Sequence, residues 1–403
     1  MNIFTERITE RLVAKPWILY SLLFLICVAV SIQRIYLDGN VGDRSFWGGN
    51  YTHFNNFIIF KTSFLHLIEN KNLYLSYAEE YADLYKYSPT FAVFMGPLYY
   101  LPDGIGLIIW NSLNVLVFFY AILSIRAISK EKLIWLIPFL IFETILSSQN
   151  SQSNCLLAGL TIIAFNQFER GRNSMASLFI LLGALIKIYS VIAVLLFFLY
   201  PQKRKTLVSF MAWFAILFLL PLLFIDFSSL IGQYKNWYAM LITDEDQSIG
   251  MSIFAFTEII LPPVHSKFYT LMAGLAILFA PLLNYRKYNS FTFRLGYLSL
   301  LIIWMVVFNH KAESPTYVIA MAGIGIWYLS GPGSRINLSL VLLSFLFTSL
   351  WFTDLIPAFL RKNLFEPKYV KTFFPILVLG KIFLDLTIIS SHGRKLEDNP
   401  DSA

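Results

Sequence analysis

Residues 169–205 read ERGRNSMASLFILLGALIKIYSVIAVLLFFLYPQKRK, and the way this stretch threads a bilayer decides the fold. Basic turns close both ends, Glu169-Arg170-Gly171-Arg172 and Lys203-Arg204-Lys205, and Lys187 stands alone in the middle of the apolar run between them. The run of roughly 27 residues exceeds the about 20 that one helical crossing needs, yet a single crossing would leave strongly basic turns on opposite faces. A hairpin of two short, tilted helices removes that conflict with the positive-inside rule. Both basic turns then lie in the cytoplasm, and Lys187 moves from the bilayer centre to a turn near the outer face.

The composition agrees with a membrane chain throughout. Hydrophobic residues make up 57%, aromatic residues 17% and charged residues 14% of the 403, with a mean hydropathy of +0.64. Soluble domains carry about 25% charged residues, so a soluble protein is excluded. The net charge of +7 comes from short loops between apolar segments, where it sets topology, and no nucleic-acid face is visible. Cys27 and Cys155 both lie inside apolar segments, which argues against a disulfide framework. Residues 17–33 lack a small-residue cleavage site before Arg34 and read as a retained first span.

Apolar periodicity predicts spans at 17–33, 105–125, 133–147, 154–167, 175–187, 189–200, 206–224, 269–285, 296–309, 316–330, 336–353 and 373–391. With the N-terminus inside, Arg126/Lys130/Lys132, Glu169–Arg172, Lys203–Lys205, Arg286/Lys287/Arg294, Arg335 and Arg394/Lys395 all fall in the cytoplasm. This requires the Lys187 hairpin and a surface helix at 89–101 on the outer side. The expected architecture is an all-α polytopic membrane protein of about 10–12 transmembrane helices with an extracytoplasmic amphipathic first loop. Residues 1–391 form a single domain, and 392–403 are a polar cytoplasmic tail. No internal repeat is evident.

Most polar chemistry falls on the outer side. The first outer loop, 34–104, holds Asp43, His53-Phe54-Asn55-Asn56-Phe57 and Tyr85-Lys86-Tyr87-Ser88-Pro89, and the helical spacing of 54–68 suggests an interfacial amphipathic helix facing lipid. Other outer segments are Ser147–Asn154, a long loop at 225–268, and Asn309-His310-Lys311-Ala312-Glu313-Ser314-Pro315.

The order of these segments resembles glycosyltransferase family 87. Its marks here are a segment like Asp-x-x-x-Tyr after the first span, Tyr87-Ser88-Pro89 before an apolar stretch ending Leu101-Pro102, Gln149-Asn150-Ser151-Gln152-Ser153-Asn154, and Ala184-Leu185-Ile186-Lys187-Ile188-Tyr189. The resemblance covers roughly residues 50 to 330 and rests on ordered motifs, none specific alone. Asn55–Lys61 and Phe308–Thr316 are similar to a bacterial branch of that family found in Bacteroidetes. The resemblance implies the C-type glycosyltransferase fold and a hexosyltransferase of the bacterial inner membrane. It further implies transfer of a mannose-like hexose or a pentose from a polyprenyl-phosphate donor to a lipid or glycan acceptor. Transfer would occur on the extracytoplasmic face, usually with inversion, and the protein's other contacts would be membrane lipids.

Inverting transfer needs a base near the attacking hydroxyl and cations to hold the departing phosphate. In the family the base is usually the Asp that opens Asp-x-x-x-Tyr, a position held here by His53, with Phe57 in place of Tyr. Neutral imidazole suits a base near pH 7. Either His53 serves, or a carboxylate such as Asp43, Glu143 or Glu313 has taken over, or the chain is an inactive scaffold.

Lys187 is the leading residue for donor phosphate, because a lysine at a helix centre costs about 2.5–3.5 kcal/mol to insert and is usually paired or functional. Snorkelling, or an ion pair with Glu143, would also account for it. His310, Lys311 and Lys86 are further phosphate candidates. Asn55, Asn56, Gln149, Asn150, Gln152 and Asn154 offer amides to sugar hydroxyls, although a polar interhelical turn would look the same.

No cofactor is implied. Asp244-Glu245-Asp246 has the oxygen ligands that suit a divalent metal, but adjacent acids in a loop are more often solvated. Lys381 and Asp385, four residues apart in the last span, read as an internal ion pair. A transporter or flippase of lipid-linked saccharides would share many spans, but it would show inverted repeats or broken helices at mid-membrane.

Overall fold

A computed structural model describes residues 3–38, 51–245, 250–260, 263–331, 333–363 and 366–387. Asp43, Asp246 and the tail 392–403 lie outside the described residues. The described residues form helices joined by turns, with no strand among them, giving an all-α polytopic membrane protein. Among the described residues, three helices have the length and apolarity of a full crossing, Pro16–Leu37, Asp103–Leu123 and Lys203–Leu223.

Among the described residues each of the twelve expected spans falls on helix, the last being followed as far as Thr387. The hairpin forms as Asn173–Ile186 followed by Ile188–Leu199, with Lys187 in extended backbone between them. Its second arm is wound as a 3₁₀ helix. That winding rises about 2.0 Å per residue against 1.5 Å in an α-helix, so twelve residues reach about 24 Å and nearly match a bilayer core.

Contacts at both ends support the alternation of the spans. At the basic end, Arg294 donates from Nε and Nη2 to the two Glu169 oxygens at 2.6 and 2.8 Å, and Tyr200 Oη donates to Glu169 Oε1. The turns before and after the hairpin are therefore neighbours, as a single crossing would forbid. At the other end, Gln149 near the close of the third span donates to Gln33 near the close of the first at 2.9 Å.

The helix Phe291–Val307 is buried almost all round and occupies the bundle centre, as expected of a segment without a polar face. Small residues let its neighbours close in. A Cβ on Gly323 would stand 3.0 Å from Ser299 O, and one on Gly159 would stand 3.1 Å from the Phe118 backbone. The helix Lys203–Leu219 instead exposes Leu207, Val208 and Met211, a surface suited to lipid.

Two expectations for the outer side need correction. The segment 225–268 contains the helices Phe227–Glu245 and Ile253–Ile260 and the start of Pro263–Leu282, so it is not a long loop. The helix Asn55–Ile68 exists, but its apolar face does not lie on lipid. Phe57 and Phe60 are fully buried, and Phe60 meets Tyr87, Phe91 and Trp110 edge-on, because this aromatic cluster offers larger apolar contact than the interface.

Topology is open to a direct test. On a background lacking Cys27 and Cys155, an impermeant maleimide added outside should label Thr243→Cys, which is exposed, and leave Lys205→Cys untouched. Labelling of the latter from outside would overturn the orientation.

Candidate active site

The Lys187 hairpin, the Gln149–Asn154 turn and the 309–316 loop converge at the end of the bundle away from the basic turns. They enclose a cavity of about 650 Å³. Of the residues picked out from sequence, Asn56, Lys86, Gln152, Lys187, His310, Lys311 and Glu313 line it.

Local structure fixes each side chain. Lys187 ends the first hairpin arm, with its N–H donating to Gly183 O at 2.9 Å. Ser151 adopts a left-handed φ of 51°, and the N–H groups of Ser151 and Gln152 return to Ser148 O and Ser147 O at 2.9 and 3.0 Å. This helix cap turns Gln152 towards the lysine. Lys187 Nζ donates to Gln152 Oε1 at 3.2 Å and to Asn154 Oδ1 at 2.8 Å. Gln152 Nε2 reaches Glu313 Oε2 at 3.5 Å, so one amide separates ammonium from carboxylate.

Glu313 is held where the next helix starts. Its N–H donates to Thr316 Oγ1 at 3.2 Å, and Pro315 opens the helical turn. Asn309 Oδ1 accepts from the Lys311 N–H at 2.9 Å, folding the His310–Lys311 corner. Gly250, at φ 57°, packs under this corner, and a Cβ there would lie 2.4 Å from His310 O. Any larger residue displaces the loop. The Lys86-Tyr87-Ser88-Pro89 element is tied to the hairpin by Ser88 N–H donating to Leu185 O at 3.3 Å, while Ser88 Oγ caps the helix at Phe91 N.

Electrostatics follow from these contacts. Lys187 lies between the two arms, where burial lowers its ammonium pKa to about 8 and the Glu313 carboxylate opposes the shift. Burial raises Tyr87, and Glu313 adds to the effect, so its phenol remains a donor. Lys86 Nζ lies 3.3 Å from Asp83 Oδ1 at the rim.

Other expected residues go elsewhere. Glu143 pairs with Lys371 at 2.7 Å and not with Lys187; both partners are buried inside the bundle. A pair between Glu143 and Lys187 is therefore corrected: the neutral amides of Gln152 and Asn154 satisfy the lysine. His53 is outside the cavity lining. Its carbonyl accepts from Arg34 Nε at 3.0 Å, and its ring meets Tyr51 edge-on. Asn55 uses both amide atoms on the Ala82 backbone. Gln149 bonds Gln33, and Asn150 donates to Leu146 O and accepts from Asn56 at its carbonyl. Lys381 and Asp385 form the expected pair. Among the described residues no cluster of three or more His, Cys, Asp or Glu could hold a metal.

Asp83, Tyr87, Tyr189 and Asn309 also line the cavity without having been picked out. Tyr87 and Tyr189 stood inside the motifs already quoted, but tyrosines are too frequent here to single out, at 22 in the chain.

A search of curated proteins returns no match. The family model of glycosyltransferase family 87 matches residues 85–309, more than half of the chain. The match takes in Lys86, Gln152, Lys187 and Asn309, and stops short of Glu313. A membrane-embedded helical bundle with a polar cavity at one end accords with that match, and the chain belongs to glycosyltransferase family 87, making it a membrane glycosyltransferase.

Proposed function

We propose that this chain transfers a hexose or pentose from a polyprenyl-phosphate donor to a lipid or glycan acceptor, at the extracytoplasmic face of a bacterial inner membrane. The observation that carries this reading is the cavity in which Lys187 and Glu313 face the same space across the Gln152 amide. Lys187, with Lys86, His310 and Lys311 around the same space, holds the donor phosphate as charge grows on it. Glu313 acts as the base. The acceptor oxygen bonds to the anomeric carbon, the bond from that carbon to phosphate oxygen breaks with its electron pair leaving on phosphate, and the acceptor proton passes to the Glu313 carboxylate. A carboxylate and a cation on opposite sides of one sugar ring suit single displacement with inversion. Asn56 and Gln152 bind sugar hydroxyls.

A cavity at one end of the bundle favours surface transfer over a carrier, whose site would lie near mid-membrane. The test is purified protein in liposomes with radiolabelled polyprenyl-phosphate sugars and a bacterial lipid extract as acceptor. Label should move to an acceptor or to water with loss of the phosphate link. Passage of intact donor across the bilayer without cleavage would contradict the reading.

A further inference from the structure

A buried polar cluster outside the cavity is built around Glu143 and Lys371. Their side chains are 1% and 0% exposed, and Lys371 Nζ lies 2.7 Å from Glu143 Oε1 between the helices Leu136–Gln149 and Pro367–Thr387. The ammonium also stands 4.8 Å from the Phe352 ring centroid and 5.6 Å from that of Tyr317. Thr348, in a short π-helical segment, bonds the Lys371 carbonyl at 3.1 Å. π-helical turns occur frequently at functional sites.

From this pair a chain of contacts runs to the cavity loop. Thr372, the residue after Lys371, places its hydroxyl 2.6 Å from Tyr317 Oη. Tyr317 Oη also donates to Met251 O at 2.8 Å. Met251 N–H in turn donates to Ala312 O at 2.7 Å, beside Glu313. Tyr317 begins the helix that follows Glu313-Ser314-Pro315-Thr316. The loop carrying His310, Lys311 and Glu313 is thus held from beneath by one tyrosine, which the buried pair backs.

We propose that Glu143 and Lys371 are positioning residues: they hold Tyr317, and through Met251 the 309–316 loop, so that Glu313 stays aimed into the cavity. The proposal rests on the reading of that cavity as the transfer site. A buried ion pair is weak as a source of stability, since apolar residues of similar volume often replace one without loss, whereas removing one partner leaves an uncompensated charge. Its worth here lies in geometry. A displacement of about 1 Å in a reacting group is enough to cost on the order of 10²-fold in rate.

The test uses full-length protein in liposomes. A single Lys371→Met change leaves Glu143 charged in the bundle and is apt to unfold it, so the double variant Glu143→Leu/Lys371→Met carries the test, with Tyr317→Phe as an independent arm. Two readouts are taken: transfer kinetics, and the rate at which an impermeant maleimide labels a Ser314→Cys reporter. The double variant should melt at or above the wild-type temperature, keep a near-normal donor KM and lose roughly tenfold or more in kcat. Its reporter should label about fivefold faster or more. Tyr317→Phe should move both readouts the same way. Wild-type kcat or wild-type labelling in the folded double variant would overturn the proposal. If the wild type transfers none of the lipid-phosphate sugars, the functional reading fails, and labelling alone then decides whether the pair orders the loop.

Discussion

Replacing Lys187 with alanine is expected to lower transfer by about 10²–10³-fold, the range seen when one preorganised donor to a developing anion is removed. The loss should appear in donor binding as well as in turnover, because phosphate is charged before and during the reaction. Lys187→Arg should keep part of the binding, since charge persists, but the planar guanidinium cannot occupy the ammonium position between Gln152 Oε1 and Asn154 Oδ1. The pH dependence has a definite sign. Burial lowers the ammonium pKa to about 8, so the cation is present below that pH and is lost above it. Because kcat/KM reports the free enzyme, kcat/KM for donor should fall as pH rises through about 8, and that limb should move upward in Lys187→Arg. Normal donor affinity in folded Lys187→Ala would make the lysine a structural residue.

The second large effect is expected at Glu313. Glu313→Gln keeps the shape and the contact from Gln152 while removing the proton acceptor, and turnover should drop by about 10²–10⁴-fold with donor binding near normal. His53→Ala supplies the contrast: its ring lies outside the cavity lining, against Tyr51, so most activity should remain. If His53→Ala is inactive and Glu313→Gln is not, the family's usual position has kept its role with histidine in place of aspartate. Asp43→Asn should be measured beside them on the same donor.

The spans were legible because apolar length and basic turns are local signals. Arg170, Arg172 and Lys203–Lys205 forced the hairpin, and Glu169 bridging Arg294 and Tyr200 bears it out. Lys187 could be noticed from one cost, that of a lysine in an apolar run. Its partners could not. An ion pair with Glu143 would have accounted for it, whereas the ion partner of Glu143, Lys371, stands 228 residues away. Lys371 stands just before the predicted span 373–391, whereas the helix begins at Pro367. The helix Phe227–Glu245 was unreadable for a different reason. Ser228, Ser229, Gln233, Lys235 and Asn236 interrupt its apolar face, and tertiary packing of Leu230 and Met240 overrides a pattern that reads as loop. Half of the six amides proposed for sugar binding line or support the cavity, Asn56, Gln152 and Asn154, while Asn55, Gln149 and Asn150 serve the protein itself. Polar residues on one outer turn look alike until the turn closes around Ser151.

The position of the donor phosphate decides the role of the cavity. An experimental structure of the protein with a polyprenyl phosphonate analogue measures this directly. Phosphonate oxygens are expected within hydrogen-bond distance of Lys187 Nζ, with the sugar position between them and the Glu313 carboxylate. A phosphonate bound elsewhere, with Lys187 still held by Gln152 and Asn154 alone, would contradict it.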